Sequence, residues 1–203
     1  MFEKTTENTP IPADDLQRTL TLARPDVARD SSDRDGSDRD SSDRNGSDRD
    51  ASRSLPHIGL VGDTYTITVS GQDTAGRFCV IDMHIPPGGG PPPHRHDFEE
   101  TFILLEGELE ATFRGQKSVV RAGETVNVPS NAPHQFHNAS SQPVRLLCVC
   151  SPAGLDEFFL QLGVHVATRT TPPPQLDAKQ QATFMEKAKA LAPKYRTEFL
   201  AKA

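Results

Sequence analysis

Apolar residues are scarce in this chain. Only 34% of its 203 residues are hydrophobic, and adding Gly still leaves it below the roughly 45–50% usual for globular chains. The shortage is uneven: residues 1–54 hold 11 hydrophobic residues and residues 55–203 hold 59. Only the second segment is long and apolar enough to bury a sizeable core. No apolar run approaches the roughly 18 residues of a membrane span, so no membrane partner is expected. The start, Met1-Phe2-Glu3-Lys4-Thr5-Thr6-Glu7, lacks the basic and apolar regions of a secretory signal. Cysteine is limited to three residues, an odd count, with Cys148 and Cys150 inside an apolar run. That reads as buried thiols in a reducing compartment, and cytoplasm is the expected location. A C-x-C pair can serve a metal, but here no second pair accompanies it. Basic charge is short as well. The formal net charge is −6, and residues 55–175 carry 7 basic against 12 acidic side chains. A nucleic-acid partner is not expected from such a balance.

The sequence before the core is repetitive. From Asp30 the unit DSSDR, DGSDR, DSSDR, NGSDR recurs, and no hydrophobic residue occurs from Ser31 to Asp50. Such a stretch cannot offset its own chain entropy and is expected to be a solvated, disordered linker. Just upstream, Leu16, Leu20, Leu22 and Val27 are apolar enough for a short helix or strand docked on the domain. The expected organisation is a disordered tail over 1–54, a β-barrel over 55–152 and a helical extension over 153–203.

Within the barrel segment the pattern has period two. Asp63 to Val69 alternates polar and apolar residues, and Arg77 to Ile85 is strand-like. Short runs follow at 98–105, 108–114, 117–121, 125–128, 134–138 and 144–151, punctuated by Gly107, Gly115, Gly123 and the Pro129/Pro133 pair. Many short strands with turn signals between them predict an all-β sandwich or barrel. The spacing then changes. Leu155, Phe158, Phe159 and Leu162 predict a short helix ended by Gly163. Asp177 is a good N-cap for a helix to about Leu191, which Pro193 interrupts. Tyr195 to Leu200 reads as a last turn.

Two stretches carry chemistry. In Gly88-Gly-Gly-Pro-Pro-Pro-His94-Arg-His96-Asp-Phe-Glu-Glu100, the two histidines are two apart, so on an extended strand both imidazoles share a face. Glu100, four further on, keeps that parity. From Gly123 to Asn138 a second cluster can add His134 from another strand. Three imidazoles and one carboxylate form a mixed N/O site suited to a divalent transition metal. Four protein ligands around an octahedral ion leave two positions open. His137, three after His134, faces the other side of its strand. His84 is a further candidate for the cavity wall, whereas His57 and His165 sit in linker-like sequence. Phe98, Phe102 and Phe136 share parity with the ligands and are candidates for an apolar substrate pocket. The Gly/Pro run lacks the Gly-Lys-Ser/Thr of a phosphate loop; it reads as a stiff turn that aims His94.

These stretches resemble the two motifs of the cupin superfamily. The first matches G-x5-H-x-H-x3-E-x6-G from Gly88 to Gly107. The second matches G-x5-P-x-G-x2-H-x3-N from Gly123 to Asn138, with Asn131 where the pattern has Gly. Asn tolerates the left-handed conformation better than most residues, so the turn is expected to survive. The resemblance covers roughly 77–152 and implies a cupin jelly-roll barrel. It also implies His94, His96, Glu100 and His134 as ligands to Fe, Mn, Ni, Zn, Co or Cu, a small-molecule substrate and a homodimer. Motif form and trailing helices are nearest to small quercetin 2,3-dioxygenase-like members. In that reading dioxygen and an enolate or phenolate meet at the metal, with Glu100 also the catalytic base. The superfamily equally holds isomerases, lyases and decarboxylases that use no dioxygen, and non-catalytic binding or sensing modules.

Overall fold

The computed structural model describes residues 13, 14, 16, 21–23 and 55–201. The pentapeptide repeat lies outside them. Among the described residues thirteen strands run in chain order. β1 (Thr21–Ala23), β2 (His57–Leu60), β3 (Asp63–Val69), β4 (Cys79–Ile85) and β5 (His94–His96) carry the chain as far as the two histidines of the first motif. β6 (Glu99–Glu106), β7 (Glu108–Phe113), β8 (Gln116–Arg121), β9 (Thr125–Val128), β10 (His134–His137) and β11 (Val144–Ser151) complete the barrel. Then come α1 (Leu155–Leu162), β12 (Val164–His165), α2 (Ala178–Leu191), a 3-10 turn (Ala192–Tyr195) and β13 (Thr197–Phe199). No helix among the described residues is long and apolar enough to cross a membrane.

All the strands pair antiparallel in two sheets, one ordered β1-β9-β6-β11-β4-β3-β2-β12 and the other β13-β5-β10-β7-β8. Together they make a barrel whose core is filled by every second residue. On β11, Val144, Leu146, Cys148 and Cys150 are fully buried while Arg145 and Val149 face outward. β4 answers with Cys79, Ile81, Met83 and Ile85. The exception is Asp82, buried on the outer side and held by Arg145 Nη2 at 2.7 Å.

α1 buries Leu155, Phe158, Phe159 and Leu162, the predicted stripe. It stops at Gly163, where a Cβ would collide with the Ile58 side chain. α2 opens on the predicted Asp177, whose side chain accepts from Gln180 N while Gln180 caps in return. Pro193 lies in the 3-10 turn that follows.

Three sequence expectations fail locally. Tyr195 to Leu200 is not a helical turn: Arg196 takes a left-handed conformation at φ 54° and sends the chain back as β13. There it pairs with β5, Thr197 opposite His96 and Phe199 opposite His94. The backbone groups along the β5 edge outweigh local helix preference. His57 and His165 are not in linkers but on β2 and β12, which pair with each other. His57 Nδ1 also meets Thr66 Oγ1 at 2.7 Å. β4 begins at Cys79, two residues later than expected, because a turn holds Arg77, whose N donates to Thr74 O.

Candidate metal centre

The two faces of the barrel each contribute to one point. β5 and β10 lie side by side in the smaller sheet, with His134 in register opposite His94. Glu100 comes from β6 in the larger sheet. The sequence reading put Glu100 on the same strand face as the histidines by parity; the structure instead bends the chain at Asp97–Phe98 and carries it to the opposing sheet. Glu100 meets the imidazoles from across the barrel. The bend is pinned by Asp97 N donating to Arg196 O at 2.9 Å and by Asn131 N donating to His96 O at 2.7 Å. Asn131 itself sits at φ 67°, the left-handed conformation expected of it.

Each imidazole is oriented by the backbone. Nδ1 of His94 meets Pro92 O at 2.8 Å, Nδ1 of His134 meets Ala132 O at 2.8 Å, and Nδ1 of His96 meets Phe98 O at 3.3 Å. A carbonyl only accepts, so each Nδ1 carries the proton and each Nε2 is left to face the centre. Glu100 Oε2 stands 2.8 Å from His96 Nε2 and 3.0 Å from His134 Nε2. Lone pairs of a neutral imidazole and a carboxylate repel at that range, so the arrangement calls for positive charge between them. Two ligand atoms held about 2.1 Å from one ion at right angles are about 3 Å apart. The ligand atoms of His94, His96, Glu100 and His134 all lie within 4.8 Å of one another. The residues fit a divalent ion, and the cluster could hold one.

Electrostatics agree. Burial, with the neighbouring His134 and His96, lowers His94 from 6.5 to about 3, so it stays neutral and available as a ligand. Burial alone would raise the Glu100 carboxyl, but positive charge on the His96 and His134 side of Oε2 more than offsets it and holds it well below its usual range, and a bound cation would supply that charge with both imidazoles neutral. Its other oxygen, Oε1, accepts from Cys148 Sγ at 3.1 Å. Burial pushes the Cys148 thiol up, so it is a protonated donor there. Cys79, Cys148 and Cys150 are all buried and free.

His94, His96 and Glu100 open onto a cavity of about 120 Å³. Of the predicted pocket residues only Phe136 lines it. Phe98 stacks on His96, ring centroids 3.8 Å apart, and so backs a ligand instead of facing the cavity. Phe102 lines a separate void of about 20 Å³ behind His134. His84 is turned outward on β4, between the inward Met83 and Ile85, and burial lowers its proton affinity with help from Arg169. His137 is exposed, as expected. The sequence reading missed the opposite wall: Tyr65, Phe158, Phe159, Leu162, Phe184 and Phe199. The α1 stripe was visible, but nothing local said that it covers a cavity. Asp63 was missed too, although it shares parity with Tyr65 and Ile67 and so is an acid on an apolar face.

The glycine run has a steric reason. A Cβ on Gly89 would collide with Asp63 Oδ1, and one on Gly90, at φ 127°, with the Phe136 carbonyl. The loop lies that close to β3 and β10, and it delivers His94.

The cupin domain family matches residues 81–150. Quercetin 2,3-dioxygenase of Bacillus subtilis (strain 168) is 30% identical over 106 residues, 51% of this chain and 31% of that protein. An uncharacterised protein of Methanocaldococcus jannaschii is 32% identical over 69 residues, 34% of this chain and 55% of that one. The chain thus spans about a third to a half of these relatives. The structure of the polyketide cyclase RemF from Streptomyces resistomycificus superposes with a TM-score of 0.45 at 20% identity, covering 73% of this chain and 95% of that one.

Proposed function

We propose that this chain, which belongs to the cupin superfamily, is a metal-dependent dioxygenase acting on a small enol(ate) or single-ring aromatic substrate. One observation carries the reading: three imidazole Nε2 atoms and one carboxylate converge at the wall of a small, largely apolar cavity. A divalent transition metal held by His94, His96, Glu100 and His134 would supply Lewis acidity and, where redox-active, chemistry with dioxygen. The chain's own residues do the rest. Apolar walls from α1 and α2 exclude water. Glu100 takes the substrate proton; because its proton affinity is held low, it suits an acidic O–H such as an enol or phenol. Size narrows the class. An engineered cavity of about 150 Å³ admits benzene, so about 120 Å³ suits one ring or a short diketone better than three-ring quercetin. A homodimer in the cytoplasm completes the reading, and light scattering measures the first of these.

The test is metal content of the purified chain, then oxygen uptake with acetylacetone, catechol and quercetin. Uptake that needs both metal and a small substrate is expected, with quercetin the poorer substrate. Turnover without oxygen uptake would make the chain an isomerase, lyase or decarboxylase, and binding without turnover a sensing module.

A further inference from the structure

The ligand histidines and the cavity leave the C-x-C pair of β11 without a role. The inner face of that strand is aliphatic at Val144 and Leu146 and turns to thiols at Cys148 and Cys150, where it passes Glu100. Cys150 lies in register opposite Glu100, and Cys148 opposite Phe102. Both thiols are fully buried.

Glu100 divides its two oxygens between these neighbours and the imidazoles. Oε2 stands 2.8 Å from His96 Nε2 and 3.0 Å from His134 Nε2. Oε1 turns the other way, 3.1 Å from Cys148 Sγ and 4.0 Å from Cys150 Sγ. An ionised carboxylate only accepts, so Cys148 directs its single S–H to Oε1. Cys150 Sγ is 3.5 Å from Cys148 Sγ; with the Cys148 proton on Oε1, the S–H between the sulfurs is that of Cys150. A hydrogen bond to a charged acceptor is stronger than one between neutral groups, so Oε1 is held. A carboxylate without such a restraint can give a cation one oxygen or both.

We infer that Cys148 is a positioning residue: its S–H holds Oε1 on the β11 side, so that Glu100 offers the centre Oε2 alone and the positions beyond the four ligands stay open to an incoming donor. With both oxygens engaged, an octahedral ion would keep one open position instead of two, too few for a substrate and a second small molecule together. The inference rests on the metal reading of His94, His96, Glu100 and His134, but not on dioxygen or on the substrate.

The test uses the full chain loaded with Co²⁺, with azide as the incoming ligand and the visible absorption of the ion as readout. Wild type is expected to bind azide. Cys148→Val fills similar space without a donor. Its azide affinity is expected to fall about tenfold, the size of one hydrogen bond to a charged group, and its azide-free spectrum to change. Cys148→Ser keeps a donor and is expected to stay within about twofold of wild type. The order of the two variants separates positioning from packing: if Cys148 only filled the core, Val would be the better substitute and Ser the worse. A loaded wild type that binds no azide, Cys148→Val with unchanged affinity, or Cys148→Ser as impaired as Cys148→Val overturns the inference. Because either variant can fail to fold, the infrared S–H stretches give a second readout with all three cysteines in place. One band is expected at lower frequency than the other two, and to move back towards them in Glu100→Gln, whose neutral amide is a weaker acceptor. No displaced band, or one that stays put in Glu100→Gln, also overturns it. A chain that takes up no Co²⁺ overturns the metal reading instead, and its S–H bands still decide whether Cys148 holds Glu100.

Discussion

Replacing Asp63 by Asn isolates the cost of burying a carboxyl beneath the glycine loop. In the fold its proton affinity is raised from 3.8 to about 7, burial being the dominant cause and the Tyr65 and Gly90 hydrogen bonds opposing it. In the unfolded chain it titrates near its usual value. Below pH 3.8 both states are protonated and Asp63 adds no pH dependence. Between 3.8 and about 7 the unfolded chain loses its proton first, so stability falls as pH rises; above about 7 the loss is complete. At about 1.4 kcal/mol per tenfold in proton affinity, the full loss is at most about 4 kcal/mol. That is a large share of the roughly 5–15 kcal/mol that holds a domain together.

Asn is nearly the same size, keeps an oxygen for Tyr65 and Gly90, and never ionises. The difference in unfolding free energy between Asp63→Asn and wild type is therefore expected to grow in the variant's favour by about 2–4 kcal/mol from pH 4 to pH 8.5. His94 contributes with the opposite sign, since its affinity is lowered from 6.5 to about 3 and stability from it rises over that window. It is present in both proteins and cancels in the difference. Urea melts of both, in the same metal state at four pH values, give the quantity directly. A difference flat to within about 0.5 kcal/mol across the range would mean that Asp63 ionises in the fold as freely as in water, and the burial argument would be refuted.

Other perturbations follow from the same geometry. His94→Ala combined with His96→Ala removes two of the four ligand atoms and should abolish stoichiometric metal; metal that stays bound to the double variant places the site elsewhere. Phe158, 3% exposed and facing the cavity, should cost about 3–5 kcal/mol on truncation to Ala. The same variant should admit larger probes than wild type, and unchanged size selectivity counts against the helix as the limiting wall. Deletion of residues 30–50 should leave metal content unchanged and Tm within about 2 °C; a larger fall sinks the linker reading of the repeat.

The parts that were legible in the sequence are those whose own period or caps define them. β3, β9 and β11 carry enough alternation to be bounded to the residue, and Asp177 as N-cap announces α2. β12 and β13 have two and three residues, too few to show a period; they exist because β2 and β5 offer edges to pair with. The ligands were legible as a set, but parity put Glu100 on the histidines' own strand, and only the bend at Asp97–Phe98 explains how it reaches them. Phe98 was misread for the same reason: it lies in the bend, where strand parity does not apply.

The division of labour within the cavity limits what family likeness can say. All four ligand residues fall inside residues 81–150, the span that matches the cupin domain family. The facing walls do not: Tyr65 precedes that span, and Phe158, Phe159, Phe184 and Phe199 follow it. Likeness over the matched span therefore bears on the four candidate ligands, while the far side of the cavity is built by β3, α1, α2 and β13. These walls are also tied to the metal side. β13 pairs residue for residue with β5, Phe199 opposite His94 and Thr197 opposite His96, and Tyr65, which holds Asp63, stacks on Phe159. α2 runs through the 3-10 turn directly into β13, so a movement of α2 would strain the β13–β5 ladder. A relative with the same four residues and different helices would keep the candidate centre and change the shape of the cavity.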